Sequence, residues 1–417
     1  MRGPEAATTG RRRFLPLVGA ALLAVLAAPA VTLGVAALTP RPAVFLAAGA
    51  AAALIAWLGA TRRVLRSRWR ALVVGLVGVA VGLAAVLVPL GDPVRPPAAP
   101  PGAGVWRLPD GSRLAYGVVR ASRPGTPVVV LHGGPGVPDL AGHLTTLAPL
   151  AEDGHDVWAY AQRGTGDSSR LADPRRYTLD LAVADLEQVR LRVGAPRMIL
   201  VGHSYGAVLA AAYLAAHPDR VERVVFSSPG DLAPDAPPGT PQSRLDLRQR
   251  LRLYGLLAPP RALLTWGLVQ VDPAAAHAYA GDREVDARQD RVYAATLPGL
   301  HCPGHEGTAL HGLGFYANQV PTSLRRPPVP EVRPALRGSR LPVLVIKGQC
   351  DYLSWASAAA YLDLFPAGVL CYLPGAGHEA YADRPDGYLA AVRAFLRDAP
   401  VPGRWVDPAV VPGDYQP

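Results

Sequence analysis

Arg197-Met198-Ile199-Leu200-Val201 runs directly into Gly202-His203-Ser204-Tyr205-Gly206, and the alanine-rich stretch 207–216 follows, stopped by His217-Pro218. The first segment reads as a short apolar strand and the last as a helix, which puts Ser204 on the turn between them. So sharp a turn needs glycines around the serine, because a Cβ there would strike neighbouring backbone. The helix that follows points its N-terminal dipole at the serine, where negative charge develops when a hydroxyl attacks a carbonyl. Ser204 is the candidate nucleophile.

A serine needs a base, and the base needs an orienting acid. Downstream, the apolar strand 341–347 ends in Gly348-Gln349-Cys350-Asp351, and the strand 369–373 ends in Pro374-Gly375-Ala376-Gly377-His378. The chain order Ser204, Asp351, His378 is one of the orders in which a triad is assembled. Asp231, after strand 221–226, is the alternative acid. Upstream, strand 127–131 ends in His132-Gly133-Gly134-Pro135-Gly136. A glycine turn there lets backbone approach a substrate carbonyl closely. The N–H of Tyr205 and that of Gly134, with Gly133 as the near alternative, are expected to form the oxyanion hole. His132 reads as a structural residue of its turn and His203 as packing.

The remaining pattern agrees. Strands are expected at 105–108, 113–119 and 156–160, and 179–193 carries a helical stripe of Leu181, Val183, Leu186, Val189 and Val193. Apolar strands alternating with amphipathic helices specify an α/β fold with a mostly parallel sheet covered on both faces. The core should comprise 105–229 and 339–400. The Pro- and Arg-rich stretch 230–338 breaks the rhythm and reads as one helical cap, and the Pro-rich tail 401–417 is expected to pack loosely.

The first ninety residues are different. Three uncharged apolar runs, 14–38, 43–60 and 71–90, each approach the ~20 residues that cross a bilayer. Of the net charge of +10, residues 1–95 account for most, with 11 arginines against two acids, so the basic balance belongs to the membrane flanks and gives no reason to expect nucleic acid. Arg11, Arg12 and Arg13 precede the first run and Arg62, Arg63, Arg66, Arg68 and Arg70 separate the second from the third, whereas Arg41 stands by itself between the first two. That distribution puts the N-terminus and the 61–70 loop in the cytoplasm and residue 91 onward outside. Cleavage of the first run near Ala28-Pro29-Ala30 would leave the same outcome. Residues 91–104, with five prolines, read as a stiff spacer. The cysteines, Cys302, Cys350 and Cys371, are expected as buried thiols, with one bridge open to them in an extracytoplasmic domain. His301, Cys302 and His305 lack the second ligand pair of a zinc site.

With these residues named, the chain resembles the proline iminopeptidase and tripeptidyl aminopeptidase family of α/β-hydrolase serine peptidases over roughly 105–400. The resemblance rests on His132-Gly133-Gly134-Pro135-Gly136, on Gln162-Arg163-Gly164-Thr165-Gly166-Asp167-Ser168, on Ala184-Asp185-Leu186-Glu187 and on the triad contexts. The chain departs from the family at Ala161, where Asp is usual, and at His203 and Tyr205, where Gly and Trp are frequent. The resemblance implies the α/β-hydrolase fold with a helical cap, a Ser-Asp-His triad without metal or cofactor, and removal of N-terminal residues from peptides. A cap carboxylate should then hold the substrate's ammonium, with Glu306 first and Glu284 second. The expected protein is a multi-pass membrane enzyme with its hydrolase domain outside the cell and a peptide or small ester as substrate. A carboxylesterase shares the same triad. A non-catalytic membrane receptor or scaffold is a reading of another class, at odds with the complete set of nucleophile, base, acid and oxyanion glycines. Epoxide hydrolases and dehalogenases of this fold carry Asp where this chain has Ser204.

Overall fold

The computed structural model describes residues 5–62, 64–65, 67–232, 239–326 and 329–417, without the side chains of 5–14. Arg11–Arg13 as side chains, and Arg63 and Arg66, on which part of the charge argument rests, lie outside that description. By its internal contacts the chain forms two units.

The larger unit, Pro93–Leu256, Val285–Thr322 and Arg326–Pro417, is built on a nine-stranded sheet. Its strands are β1 (Gly104–Arg107), β2 (Arg113–Val119), β3 (Val128–Leu131), β4 (Val157–Tyr160), β5 (Met198–His203), β6 (Val221–Ser227), β7 (Val343–Cys350), β8 (Val369–Gly377) and β9 (Arg404–Trp405). The spatial order is β1-β2-β4-β3-β5-β6-β7-β8-β9. From β4 to β8 every pairing is parallel, and β1, β2 and β9 add antiparallel edges. Strand side chains alternate between two buried layers, which explains the unbroken apolar runs. Val129, Leu131, Leu200, Phe226 and Val345 face one layer, and Val128, Val130, Ile199, Val201, Leu344 and Ile346 the other. Helix Leu179–Val193 starts at Thr178, whose side chain accepts from Leu181 N–H, and ends at Gly194 with φ +76°.

The smaller unit, Met1–Asp92, Leu257–Glu284 and Ser323–Arg325, contains, among the described residues, three helices long and apolar enough to cross a membrane: Leu15–Ala36, Pro42–Thr61 and Arg68–Leu87. Small residues bring them together: a Cβ on Gly49 would lie 1.9 Å from Thr32 Oγ1, and one on Gly75 would lie 2.6 Å from the Trp57 ring. The expectation of a single cap over 230–338 is corrected here, because 257–284 packs with the N-terminal helices. Arg261 shows why. Its guanidinium is buried between Glu284 (2.5 and 2.7 Å), Val86 O (2.9 Å) and Tyr279 O (3.1 Å), which satisfies a charge that would otherwise oppose burial.

Two further expectations change. The Pro-rich spacer is bound to the sheet, with Val118 N–H donating to Pro101 O at 2.9 Å. The tail is not loose: Arg404–Trp405 pairs with Leu370 and Cys371 as β9, and Gln416 N–H donates to Gln349 O at 2.8 Å.

Candidate active site

Ser204 follows β5 at φ 54° and ψ −117°, and helix Tyr205–Ala216 starts at the next residue. A non-glycine residue in this conformation costs about 1–3 kcal/mol and is held by its surroundings. Ser204 N–H donates to Ser227 O at 2.9 Å, and Ser204 O accepts from Ala207 N–H at 3.0 Å and Gly230 N–H at 3.1 Å. The glycine requirement has a steric cause. A Cβ on Gly202 would lie 2.4 Å from Gly206 O, and one on Gly206 would lie 2.0 Å from Leu131 O.

The candidate acid and base come from neighbouring strand ends. His378 Nδ1 lies 2.7 Å from Asp351 Oδ1. With that carboxylate ionised, Nδ1 carries the proton and leaves Nε2 as the acceptor. Burial pushes the Asp351 carboxyl up, but the charges of Lys347 and His378 and their hydrogen bonds outweigh it and hold the group well below the ordinary range. Asp231, the alternative acid, is exposed. The Tyr352 ring lies 4.4 Å from that of His378. Ser204 and His378 line one cavity of about 60 Å³ together with Gly133, Gly134, Asp139, His143, His203, Tyr293, Tyr352 and Glu379.

The glycine turn after β3 is fixed by His132. Gln162 N–H donates to His132 Nε2 at 2.9 Å, Gln162 Nε2 donates to His132 O at 2.8 Å, and His132 Nδ1 lies 3.0 Å from Gly133 O. Gly134 takes φ +112°, a cis peptide joins it to Pro135, and Gly133 lies under Ser204, where a Cβ would be 3.0 Å from both the Ser204 Cβ and the His203 ring. Arg163 is paired bidentately with buried Asp185 at 2.6 and 2.9 Å, so the Gln-Arg-Gly and Ala-Asp-Leu-Glu segments serve each other structurally. His203 is buried, with its ring 4.9 Å from His378, and burial drives its pKa well below the ordinary value, so it stays neutral.

The carboxylates expected to hold an ammonium are displaced. Glu306 is exposed and is not among the residues lining the Ser204 cavity, because it follows a turn closed by His305 N–H donating to Cys302 O at 3.1 Å. Glu284 is committed to Arg261. The carboxylates lining the cavity are Asp139 and Glu379. Asp139 caps a helix by accepting from Gly142 N–H at 2.9 Å and accepts from the Tyr381 hydroxyl at 2.9 Å. Glu379 accepts from the Tyr293 hydroxyl and lies 3.6 Å from His301 Nε2, while His301 Nδ1 lies 2.6 Å from Asp383 Oδ1. Burial raises Glu379, with His301 and Tyr293 opposing. Sequence reasoning did not single out Glu379 as lining this cavity although it directly follows the candidate base His378.

The expectation of three thiols is also corrected: Cys302 and Cys350 form a disulfide, and Cys371 is buried with its Sγ 3.2 Å from Pro402 O. The bridge joins the residue before the acid to the end of helix Asp282–Leu300, whose Leu300 O accepts from His378 N–H at 2.7 Å. Acid, base and helix end are thus fastened to one another.

The sequence pattern of the alpha/beta hydrolase fold matches residues 126–385. The chain is 40% identical over 124 residues to a proline iminopeptidase of Heyndrickxia coagulans, covering 30% of this chain and 42% of that protein. It is 40% identical over 128 residues to epoxide hydrolase A of Mycobacterium tuberculosis, covering 30% and 39%. These matches span about two fifths of either relative. The crystal structure of a proline iminopeptidase of Mycobacterium smegmatis superposes with a TM-score of 0.47 at 21% identity, covering 71% of this chain and 98% of that one.

Proposed function

The chain belongs to the alpha/beta hydrolase fold family, and from that premise we propose that it is a membrane-anchored serine hydrolase that removes N-terminal residues from peptides. What carries the reading is the Ser204 cavity: Asp139 and Glu379 line it beside nucleophile and base, and among the described residues no Lys or Arg lines it. Such a cavity attracts a cation, and the free α-ammonium of a peptide is the cation next to the bond that an aminopeptidase cuts. An ammonium beside Glu379 would favour its charged form and recover the cost of burying it. The likeness to proline iminopeptidases supports the same class.

In this reading Ser204 attacks the carbonyl carbon while His378 Nε2 takes the hydroxyl proton. Asp351 holds the ring through Nδ1–H and stabilises the imidazolium that forms. The N–H groups of Tyr205 and Gly134 receive the oxyanion, each such donor being worth about 3 kcal/mol in the transition state. His378 returns the proton to the departing amine, and water attacking the acyl-enzyme through the same base releases the product. The three apolar helices anchor the enzyme, and the arginine distribution and the Cys302–Cys350 bridge both favour an extracytoplasmic hydrolase.

The test is turnover by the full chain in detergent of prolyl and alanyl arylamides, their N-blocked forms, and short acyl esters. Free-amine arylamides should be cleaved and blocked ones spared, and Glu379→Gln should raise KM for the free amines by about 10- to 100-fold, the loss of one charge-assisted hydrogen bond. Cleavage confined to esters would make the protein a carboxylesterase. A folded chain inert to the whole panel would favour the receptor reading.

A further inference from the structure

Lys347 is the sole lysine of the chain; every other one of its 42 basic residues is arginine. It lies on β7 with no exposed surface. Its Nζ donates to Asp351 Oδ2 at 2.7 Å and to Leu353 O at 2.8 Å. The other carboxylate oxygen, Oδ1, accepts from His378 Nδ1 at 2.7 Å and from Leu353 N–H at 3.1 Å. Each oxygen of the acid therefore has its own donors, and rotation of the carboxylate would break both sets.

The C-terminal tail closes this arrangement. The Tyr415 ring stands 5.8 Å from Lys347 Nζ, and its hydroxyl donates to Asp351 O at 3.2 Å and to Leu353 O. Tyr415 is held in turn through Asp414, which accepts from the Tyr372 hydroxyl at 2.9 Å, and through Gln416, whose N–H donates to Gln349 O.

A fully buried ion pair adds little stability over apolar residues of the same size, so its presence calls for another reason. An arginine fork could not occupy the space of one compact ammonium, which accounts for a lysine in a chain that otherwise uses arginine. We infer that Lys347 is a positioning residue for the triad, turning Asp351 Oδ1 toward His378, and that Tyr415 of the C-terminal tail keeps this lysine enclosed. The inference rests on the reading of Ser204, His378 and Asp351 as a triad.

The positive charge has a second effect. Lys347 offsets part of the Asp351 charge felt by His378, so that the imidazolium is stabilised less than by an unpaired carboxylate. The other titratable or charged groups around the pair are Tyr352, Tyr415, Arg244, His203 and, beside His378, Glu379. None of these is altered in the test below except Tyr415.

The experiment compares kcat/KM against pH for the full chain and for Lys347→Met, Lys347→Gln and Tyr415→Phe, with rates expressed per site titrated by a fluorophosphonate. Lys347→Met should lower kcat by about 10- to 100-fold with little change in KM, the cost of a misdirected catalytic group. Lys347→Gln, which keeps a donor, should lose less. In both, the acidic limb should move up, because the imidazolium gains the full carboxylate charge. A purely structural lysine would leave the limb in place, and an unmoved profile with wild-type kcat overturns the inference. If neither lysine variant folds, Tyr415→Phe decides, with a several-fold fall in kcat expected and no change contradicting the enclosure. Ser204→Ala and Asp351→Asn separate the two levels. If they retain activity the triad reading itself fails, and if they are inactive while the lysine variants are normal, this inference fails by itself.

Discussion

At the scale of single residues, the buried histidines around the candidate site make a pH prediction. Burial lowers His132 and His143 from 6.5 to about 4. Each binds its proton more readily in the unfolded chain, so the stability they contribute is complete above pH 6.5 and is lost as the pH falls toward 4. Between pH 7 and 5 this is of the order of 2 kcal/mol for each. The melting temperature should therefore drop over that interval. His203 is lowered as well and adds to the same loss. His143 has no protein hydrogen-bond partner for either ring nitrogen among the described residues and stacks 3.8 Å from Tyr381, so His143→Phe should keep the packing and flatten the acid dependence by about a third. An unchanged slope in that variant would show that His143 titrates normally. The candidates Ser204, Asp351 and His378 could be named at this scale because each follows the end of a strand. Glu379 and Lys347 were not read because the roles proposed for them rest on burial and on partners in a helix, loops and the tail that lie far off in sequence or carry no motif, although a sole lysine directly after the apolar run Val343–Ile346 was a signal open to inspection.

At the scale of elements, the turn after β5 is where packing and chemistry meet. Helix Tyr205–Ala216 crosses so close to β3 that a Cβ at Gly206 would reach 2.0 Å from a backbone oxygen that has no freedom to withdraw. Gly206→Ala should thus cost about 3 kcal/mol, at the upper end of overpacking, and lower the melting temperature by several degrees, whereas Gly255→Ala, with nothing within 4 Å of its Cβ, should not. Equal effects would mean that the close crossing is not real. The strands were legible because both faces of the sheet are buried and the apolar runs carry little ambiguity. The division of 230–338 was hidden because helical periodicity says which face is apolar and not what covers it. The anchoring of 401–417 was hidden for a related reason: β9 is two residues long, and its hold depends on backbone hydrogen bonds that composition does not record.

At the scale of the whole molecule, the chain combines apolar helices, an α/β-hydrolase unit and one disulfide, and each constrains the others. A bridge between Cys302 and Cys350 persists in an oxidising compartment, which agrees with the outside placement argued from Arg11–Arg13 and the 61–70 arginines. The central claim is that Ser204 is an activated nucleophile carried on the outer side of a membrane. The most direct measurement is labelling of intact cells producing the full chain with a membrane-impermeant fluorophosphonate, followed by mapping of the modified peptide. The account predicts labelling at Ser204 without lysis, abolished in Ser204→Ala and reduced by at least about 10⁴-fold in rate when the base His378 is replaced by alanine. Equal labelling of Ser204→Ala, or labelling of the wild type that requires lysis, would contradict it.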